Sequence, residues 1–413
     1  MLNKRYSFGY LFVNTAVSIY FLSIFLFKRS YNIAPALLIL AALILFITSK
    51  ERKNIFKFNN EQKTLAFSYF FYFATLAFSV LFHHGKLNEL DNPSRILLFL
   101  PIIPLLVNYK LSFHILIKVI PFSALLAGII ALIQRFYLGY EQAYSNVMHI
   151  QGGDMAMSLG VFSICISLYF WTNKNKKFAL LVLFCALMGI LGSILSTARG
   201  GWIGVPFILV FTLYIYRKKL PKYFFPILFS TISTFVVIVF LTNTGGIIDR
   251  INAAKADITQ YVSSENTSTS VGARFDMWKA SWIAIQEKPI LGWGKQGIYD
   301  KKQELAKEGI ISEYAASFVH NHNQFIDDTV KKGLIGLIAL LFIFIVPLRF
   351  FISNLKTDNP ELLCLSSLGI IHVTSTIFYN FSQSFFSHNS GNIFYFFLIV
   401  IFYAAIKVVK NKN

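Results

Sequence analysis

Apolar runs of roughly twenty residues, separated by short polar and basic gaps, recur along this chain from end to end. Crossing a hydrocarbon core ~30 Å thick as a helix takes about that many residues. The pattern predicts twelve spans, at 8–27, 32–49, 64–83, 96–107, 112–136, 155–172, 178–196, 202–216, 225–242, 334–352, 362–379 and 392–409. The fourth is short, and Pro101 and Pro104 predict a kink or tilt there. The expected fold class is therefore all-α: a polytopic membrane protein with about twelve transmembrane helices and one large, largely helical loop.

Composition fits this class. The 413 residues are 55% hydrophobic and only 14% charged, against about 25% charged in ordinary soluble domains. The abundance of Phe and Tyr, 44 and 20 residues, suits surfaces that face lipid and its interfaces. A formal charge of +19 invites a nucleic-acid reading, but the basic residues fall in the gaps between spans rather than on one soluble module, so no nucleic-acid partner is expected. Cys165, Cys185 and Cys364 all lie inside apolar runs and have neither disulfide-framework nor zinc-site spacing. The first apolar stretch lacks a small-residue cleavage site and reads as a retained span.

The basic gaps also predict orientation. With both termini cytoplasmic, the clusters around Lys50–Lys63, Lys174–Lys177, Arg217–Lys222 and Lys407–Lys412 all fall inside, and Lys28 with Arg29 is the single exception. Residues 243–333 then form a loop on the outer side, dividing the chain into 1–242 (spans one to nine), the loop, and 334–413 (spans ten to twelve). Long loops are uncommon unless functional. This one opens with Thr244, Gly245 and Gly246 and a polar run, SSENTSTS. Next, Phe275, Trp278, Trp282 and Ile285 recur at helical spacing, with Pro289 and the glycine-rich LGWGKQG as a stop. A second helix is expected over 313–332.

Four places carry candidate chemistry. Arg199, in ILSTARGGWIG, ends the seventh span beside two glycines; its guanidinium suits phosphate oxygens, though an arginine there also serves simply to snorkel to the interface. Arg274 lies one turn before Trp278, a pair that fits either phosphorylated lipid heads or plain interfacial anchoring. In SFVHNHNQFIDDTVKKGLIG, a helix would put Phe318, His322, Phe325, Ile326 and Thr329 on one face. An imidazole on an apolar face favours its neutral form, so His322 reads as a base or as a satisfied core histidine, while His320 sits near Asn323 and Gln324. Lys331 suits a lipid phosphate or a helix end, and His388, in SQSFFSHNSGN, suits a sugar site or a polar turn. Walker, dinucleotide and HExxH motifs are missing. Asp327 and Asp328 are adjacent, so on a helix they diverge by about 100° and chelate poorly. The expectation is chemistry without metal or cofactor.

Together these places resemble the O-antigen ligase family, inner-membrane enzymes that attach polymer to the lipopolysaccharide core. The family's histidine pattern reads here as His322, Asn323, QFIDDTVKK, Gly333, LI, Gly336, and its two arginines correspond to Arg199 and Arg274. The stretch MHIQGGDMAMSL departs from the family in lacking a nearby arginine. The resemblance implies transfer of O-antigen from an undecaprenyl pyrophosphate donor to lipid A–core at the periplasmic face of the bacterial inner membrane. His322 would be the base, Arg199 and Arg274 the cations at the leaving group, and Asn323, His320, Gln324, Trp278, Lys331 and His388 substrate-binding neighbours. An O-antigen polymerase or a protein O-oligosaccharyltransferase has similar topology and the same donor. A transporter or flippase is the reading from another class, but no internal repeat or midplane charge supports it.

Overall fold

The computed structural model describes residues 2–243, 247–263 and 269–412, so the turn at 244–246 and the polar run at 264–268 lie outside the described residues. Every expected span falls on helix. In chain order these are α1 (Leu2–Ser23), α2 (Ile33–Thr48), α3 (Asn60–Phe82), the pair α4 (Asp91–Leu98) and α5 (Ile102–Asn108), α6 (Phe113–Leu132), α7 (His149–Thr172), α8 (Lys176–Leu195), α9 (Val205–Tyr216) and α10 (Phe224–Leu241). The loop contributes α11 (Ile247–Val262), α12 (Ser270–Glu287) and α13 (Gly294–Lys307), and the chain ends with α14 (Gln324–Ser353), α15 (Pro360–Ser382) and α16 (Asn389–Lys410). Among the described residues, nine helical stretches are long and apolar enough to cross a membrane, and three shorter apolar helices occupy the remaining expected places. The chain is thus an all-α, polytopic membrane protein. The fourth span breaks around Pro101, between α4 and α5, as its prolines predict.

The core runs through α7, α15 and α16, which are buried along most of their length, while α2 and α3 turn much of their surface outward. A helix apolar on all sides belongs in the middle of such a bundle. Lipid supplies little drive for helices to associate, so close contact comes from small residues. Gly160 of α7 meets Gly189 of α8, where a Cβ on Gly189 would stand 3.0 Å from the Gly160 nitrogen.

The loop departs from expectation in three ways. First, the helix expected over 313–332 does not form. A single turn, Glu313–Ala316, is followed by a non-helical stretch, and helix resumes at Gln324 with Asn323 as its N-cap. Asparagine competes for backbone donors and favours caps over helix interiors. Here the Asn323 side chain accepts from the Ile326 N–H at 3.1 Å, and Asn321 reaches Asp327 through both its backbone and its amide nitrogen. The shared helical face from Phe318 to Thr329 therefore does not exist. Second, α14 is broken at Gly333, whose φ of 67° belongs to the left-handed region. There Leu334 donates to the Pro289 carbonyl at 2.8 Å, and a Cβ on Gly333 would fall 1.9 Å from the Ile290 oxygen, so the crossing of 289–293 over α14 requires glycine. Third, Trp282 is exposed; α12 buries Ala273, Met277, Ala280 and Ala284 instead.

Candidate functional site

Three chain segments meet at the loop end of the bundle: the non-helical stretch 317–323, the connection between α15 and α16, and the turn that follows α8. His322 adopts φ 50° just before the Asn323 cap. Left-handed backbone is uncommon in a non-glycine residue, and such strain gathers at functional sites. Its ring sits edge-on to Phe318, centroids 5.6 Å apart. Its Nδ1 lies 2.5 Å from Oε1 of Gln383, the residue that ends α15. The amide nitrogen of Gln383 lies in turn 3.2 Å from Nε2 of His388, which begins α16. The row His322–Gln383–His388 ties the loop to two of the central helices. With Nδ1 donating to the Gln383 oxygen, Nε2 of His322 keeps its lone pair and has no hydrogen-bond partner among the described residues.

Behind this row lies a second polar group. The buried Asp327 accepts from Lys331 at 2.7 Å and from Asn321, and stands 4.0 Å from Nδ1 of His320. Asp328 pairs separately with Lys332 at 2.7 Å and accepts from Gln324 at 2.8 Å. Gln324 also accepts from the Phe386 N–H. His320, Asp327, Asp328, Lys331 and Lys332 border a cavity of about 330 Å³. Burial, reinforced by Lys331, pushes the His320 imidazole down to about 4, while Asp327 opposes the shift. Lys302, buried, donates to the Phe318 carbonyl.

Arg199 and Arg274 lie on two further elements. Arg199 is exposed just before the turn Gly200–Ile203, and Arg274 is half-buried in α12. Neither makes a hydrogen bond or ion pair among the described residues. They act on each other nonetheless: burial and the neighbouring Arg199 charge lower the Arg274 pKa. Burial also lowers the His322 pKa, and Arg274 and Lys302 add to this against the Gln383 hydrogen bond and Asp327. These influences favour the neutral form of His322, near the Arg274 charge, which makes no ion pair among the described residues.

The structure thus ties His322 to His388 through Gln383, with the His320 ring 6.1 Å from that of His388, and places Arg274 within electrostatic reach of His322 and Arg199 within reach of Arg274. Asn323 and Gln324 spend their hydrogen bonds on the protein, the first on Ile326 and Phe381, the second on Asp328 and Phe386. Trp278 donates its indole N–H to the Asn321 carbonyl at 2.9 Å and so braces the histidine stretch. Four residues had not been picked out as candidates for this site: Gln383, Lys302, Asn321 and the fully buried Asp154, whose carboxylate packs against Gly201. Gln383 belongs to the same polar run as His388, SQSFFSHNSGN; a run of that kind between two apolar spans was its only signal.

Known proteins match this chain in sequence over parts that include several of these residues. The family profile described as O-antigen ligase matches residues 183–341, which include Arg199, Arg274 and the histidine stretch. Over 390 residues the chain is 42% identical to an uncharacterised protein of Haemophilus influenzae, covering 94% of this chain and 97% of that one. Over 219 residues it is 29% identical to an O-antigen ligase of Escherichia coli, covering 52% of this chain and 50% of the relative. On this multi-pass scaffold, residues 183–341, which hold Arg199, Arg274 and the histidine stretch but not Gln383 or His388, carry the match to the O-antigen ligase family.

Proposed function

We propose that this protein transfers O-antigen from undecaprenyl pyrophosphate to the lipid A–core oligosaccharide, at the periplasmic face of the inner membrane with both termini cytoplasmic. The observation that carries the reading is a half-buried histidine held through Nδ1 by Gln383, with Arg274 in electrostatic reach of it and Arg199 of Arg274, neither arginine ion-paired among the described residues. Nε2 of His322 takes the proton from the acceptor hydroxyl, whose oxygen forms the new bond to the anomeric carbon. The bond from that carbon to the pyrophosphate oxygen breaks, and the charge that builds on the leaving group falls to Arg274 and Arg199. A single displacement of this kind inverts the anomeric centre, and no metal is needed to neutralise the leaving group. His320, held towards Asp327 and Lys331, and His388, at the end of the hydrogen-bonded row, shape the acceptor side. The loop 243–333 carries the site, and the helices of 1–242 and 334–413 present the two lipids to it.

The test is replacement of His322 and, separately, His320 by Ala in a strain without its own ligase. Lipopolysaccharide laddering on a gel is the readout, with membrane levels of each variant checked. His322→Ala is expected to abolish the ladder at normal protein level while lipid-linked polymer accumulates. A full ladder from that variant would refute the assignment of the base. Elongation of polymer in the absence of lipid A–core would make the enzyme a polymerase.

A further inference from the structure

A cavity of about 830 Å³ lies outside the site just described. It is a groove between the turn before α2, the first turns of α4, and the start of α16, and its polar end is cationic. Arg95 donates to Oδ1 of Asn389 at 2.7 Å and to Oδ1 of Asn32 at 3.4 Å, and the Asn389 amide donates to the same Asn32 oxygen at 3.0 Å. Arg29 stands at the same end with φ 65°, its carbonyl accepting from the Asn32 side chain at 2.9 Å. No acidic residue lines the groove, and neither arginine makes an ion pair among the described residues. Two amides, those of Asn32 and Asn389, thus orient a positive charge that has no ion-pair partner among the described residues.

The other end is apolar. Ile39, Leu40, Leu43 and Leu98 form its wall, and the three leucines leave about half of their surface exposed on the outside of the bundle. A ligand that fills such a groove needs an anionic head and an apolar tail. Arg29 is also the basic residue that broke the charge pattern of the sequence. It lies at the Asn389 end of α16, the opposite end from Lys407 and Lys410.

We propose that this groove seats the phosphate of the lipid acceptor, a phosphorylated glycolipid, with Arg29 and Arg95 holding the head and an acyl chain running along Ile39, Leu40, Leu43 and Leu98. The assignment to the acceptor rests on the ligase reading and on position. Arg274 and Arg199, which take the donor's pyrophosphate, stand at the His322 end of the row His322–Gln383–His388. Asn389, which holds Arg95, directly follows His388 at the other end. The base therefore sits between two cationic seats, one for each lipid.

Binding of bis-phosphorylated lipid A, and of lipid A stripped of its phosphates, to the full-length protein in nanodiscs tests this. The unsubstituted protein is expected to prefer the phosphorylated lipid by about tenfold or more, the worth of one charge-assisted contact. The double variant Arg29→Gln/Arg95→Gln should lose that preference, and Arg95→Lys alone should keep it. Millimolar inorganic phosphate should not compete; if it competes fully, the site takes phosphate rather than lipid and the proposal falls. In a ligation assay the double variant should raise KM for the acceptor by about tenfold while kcat and the donor KM hold. A rise in donor KM instead, or an unchanged phosphate preference, overturns the proposal. So does loss of both binding and melting temperature in Arg95→Lys, which marks a merely structural arginine. If the unsubstituted protein ligates nothing, the ligase reading fails, and the binding comparison still decides whether the groove holds a phosphorylated lipid.

Discussion

Replacing Gln383 by Leu is the sharpest perturbation of the proposed mechanism, because Gln383 acts only through its neighbours. Leucine nearly matches the shape of the side chain and removes the oxygen that lies 2.5 Å from Nδ1 of His322. The imidazole N–H is then left half-buried without an acceptor, at a cost of about 1–3 kcal/mol, or about 5- to 150-fold when it falls on the transition state. The other limit is the whole worth of a general base, about 10²–10⁴-fold. Gln383→Leu should therefore lower kcat by about 10- to 100-fold, within both bounds, with little change in either KM. The assay is ligation by purified protein in detergent, with lipid-linked polymer and acceptor varied in turn. The decisive comparison is the double variant: in a His322→Ala background no base remains to orient, so Gln383→Leu should cost nothing further. If the two losses multiply, Gln383 does not work through His322 and the proposed tautomer is wrong. His388→Phe controls for the second contact of Gln383, and a kcat loss equal to that of Gln383→Leu would move the effect to His388.

Two further outcomes follow from the charges and the backbone. Burial and Arg274 hold the His322 pKa below its ordinary value, so the base stays neutral to lower pH and activity fails only as pH falls through that lowered value. Arg274→Gln should raise the His322 pKa and move the acid limb of the kcat profile to higher pH, besides lowering kcat by about 10²-fold; Arg199→Gln should lower kcat and leave the limb in place. For Gly333→Ala, left-handed backbone alone costs about 1–2 kcal/mol. The new Cβ would also stand 1.9 Å from the Ile290 oxygen, so a clear fall in melting temperature is expected; an unchanged one would mean that the crossing of 289–293 over α14 is not needed.

Much of this was legible in the chain because one solvent dictates it. An apolar run long enough to cross lipid has to be helix, since lipid offers its backbone no other partner, and the nine helices long enough to cross, among the described residues, follow from that constraint. The break between α4 and α5 was written in Pro101. Short-range competition was harder to read. Between 313 and 332 the helical periodicity of apolar residues was outweighed by Asn321 and Asn323, whose side chains capture backbone donors and the Asp327 carboxylate. Residues that meet across the fold were not legible at all. Gln383 reaches His322 across 61 positions, and Arg95 reaches Asn389 across 294, with no local pattern to announce either pair.

The charges at the site also bear on why Arg199 and Arg274 are placed on different bodies of the protein. α12, which carries Arg274, is fastened to the histidine stretch: Ala273 and Met277 pack with Ala315 against Trp278 and Phe318, and Trp278 bonds the Asn321 carbonyl. Arg274 and His322 therefore keep a fixed relation, as a base and the cation nearest its substrate must. Arg199 belongs to the membrane bundle, at the end of α8, with Gly200 and Gly201 buried directly behind it. The two guanidinium groups repel each other across the junction of loop and bundle. On the proposed mechanism a pyrophosphate removes that repulsion by lying between them. An uncharged sugar offers no such gain. The site would thus discriminate for the activated donor by the anion it carries, before any sugar is read.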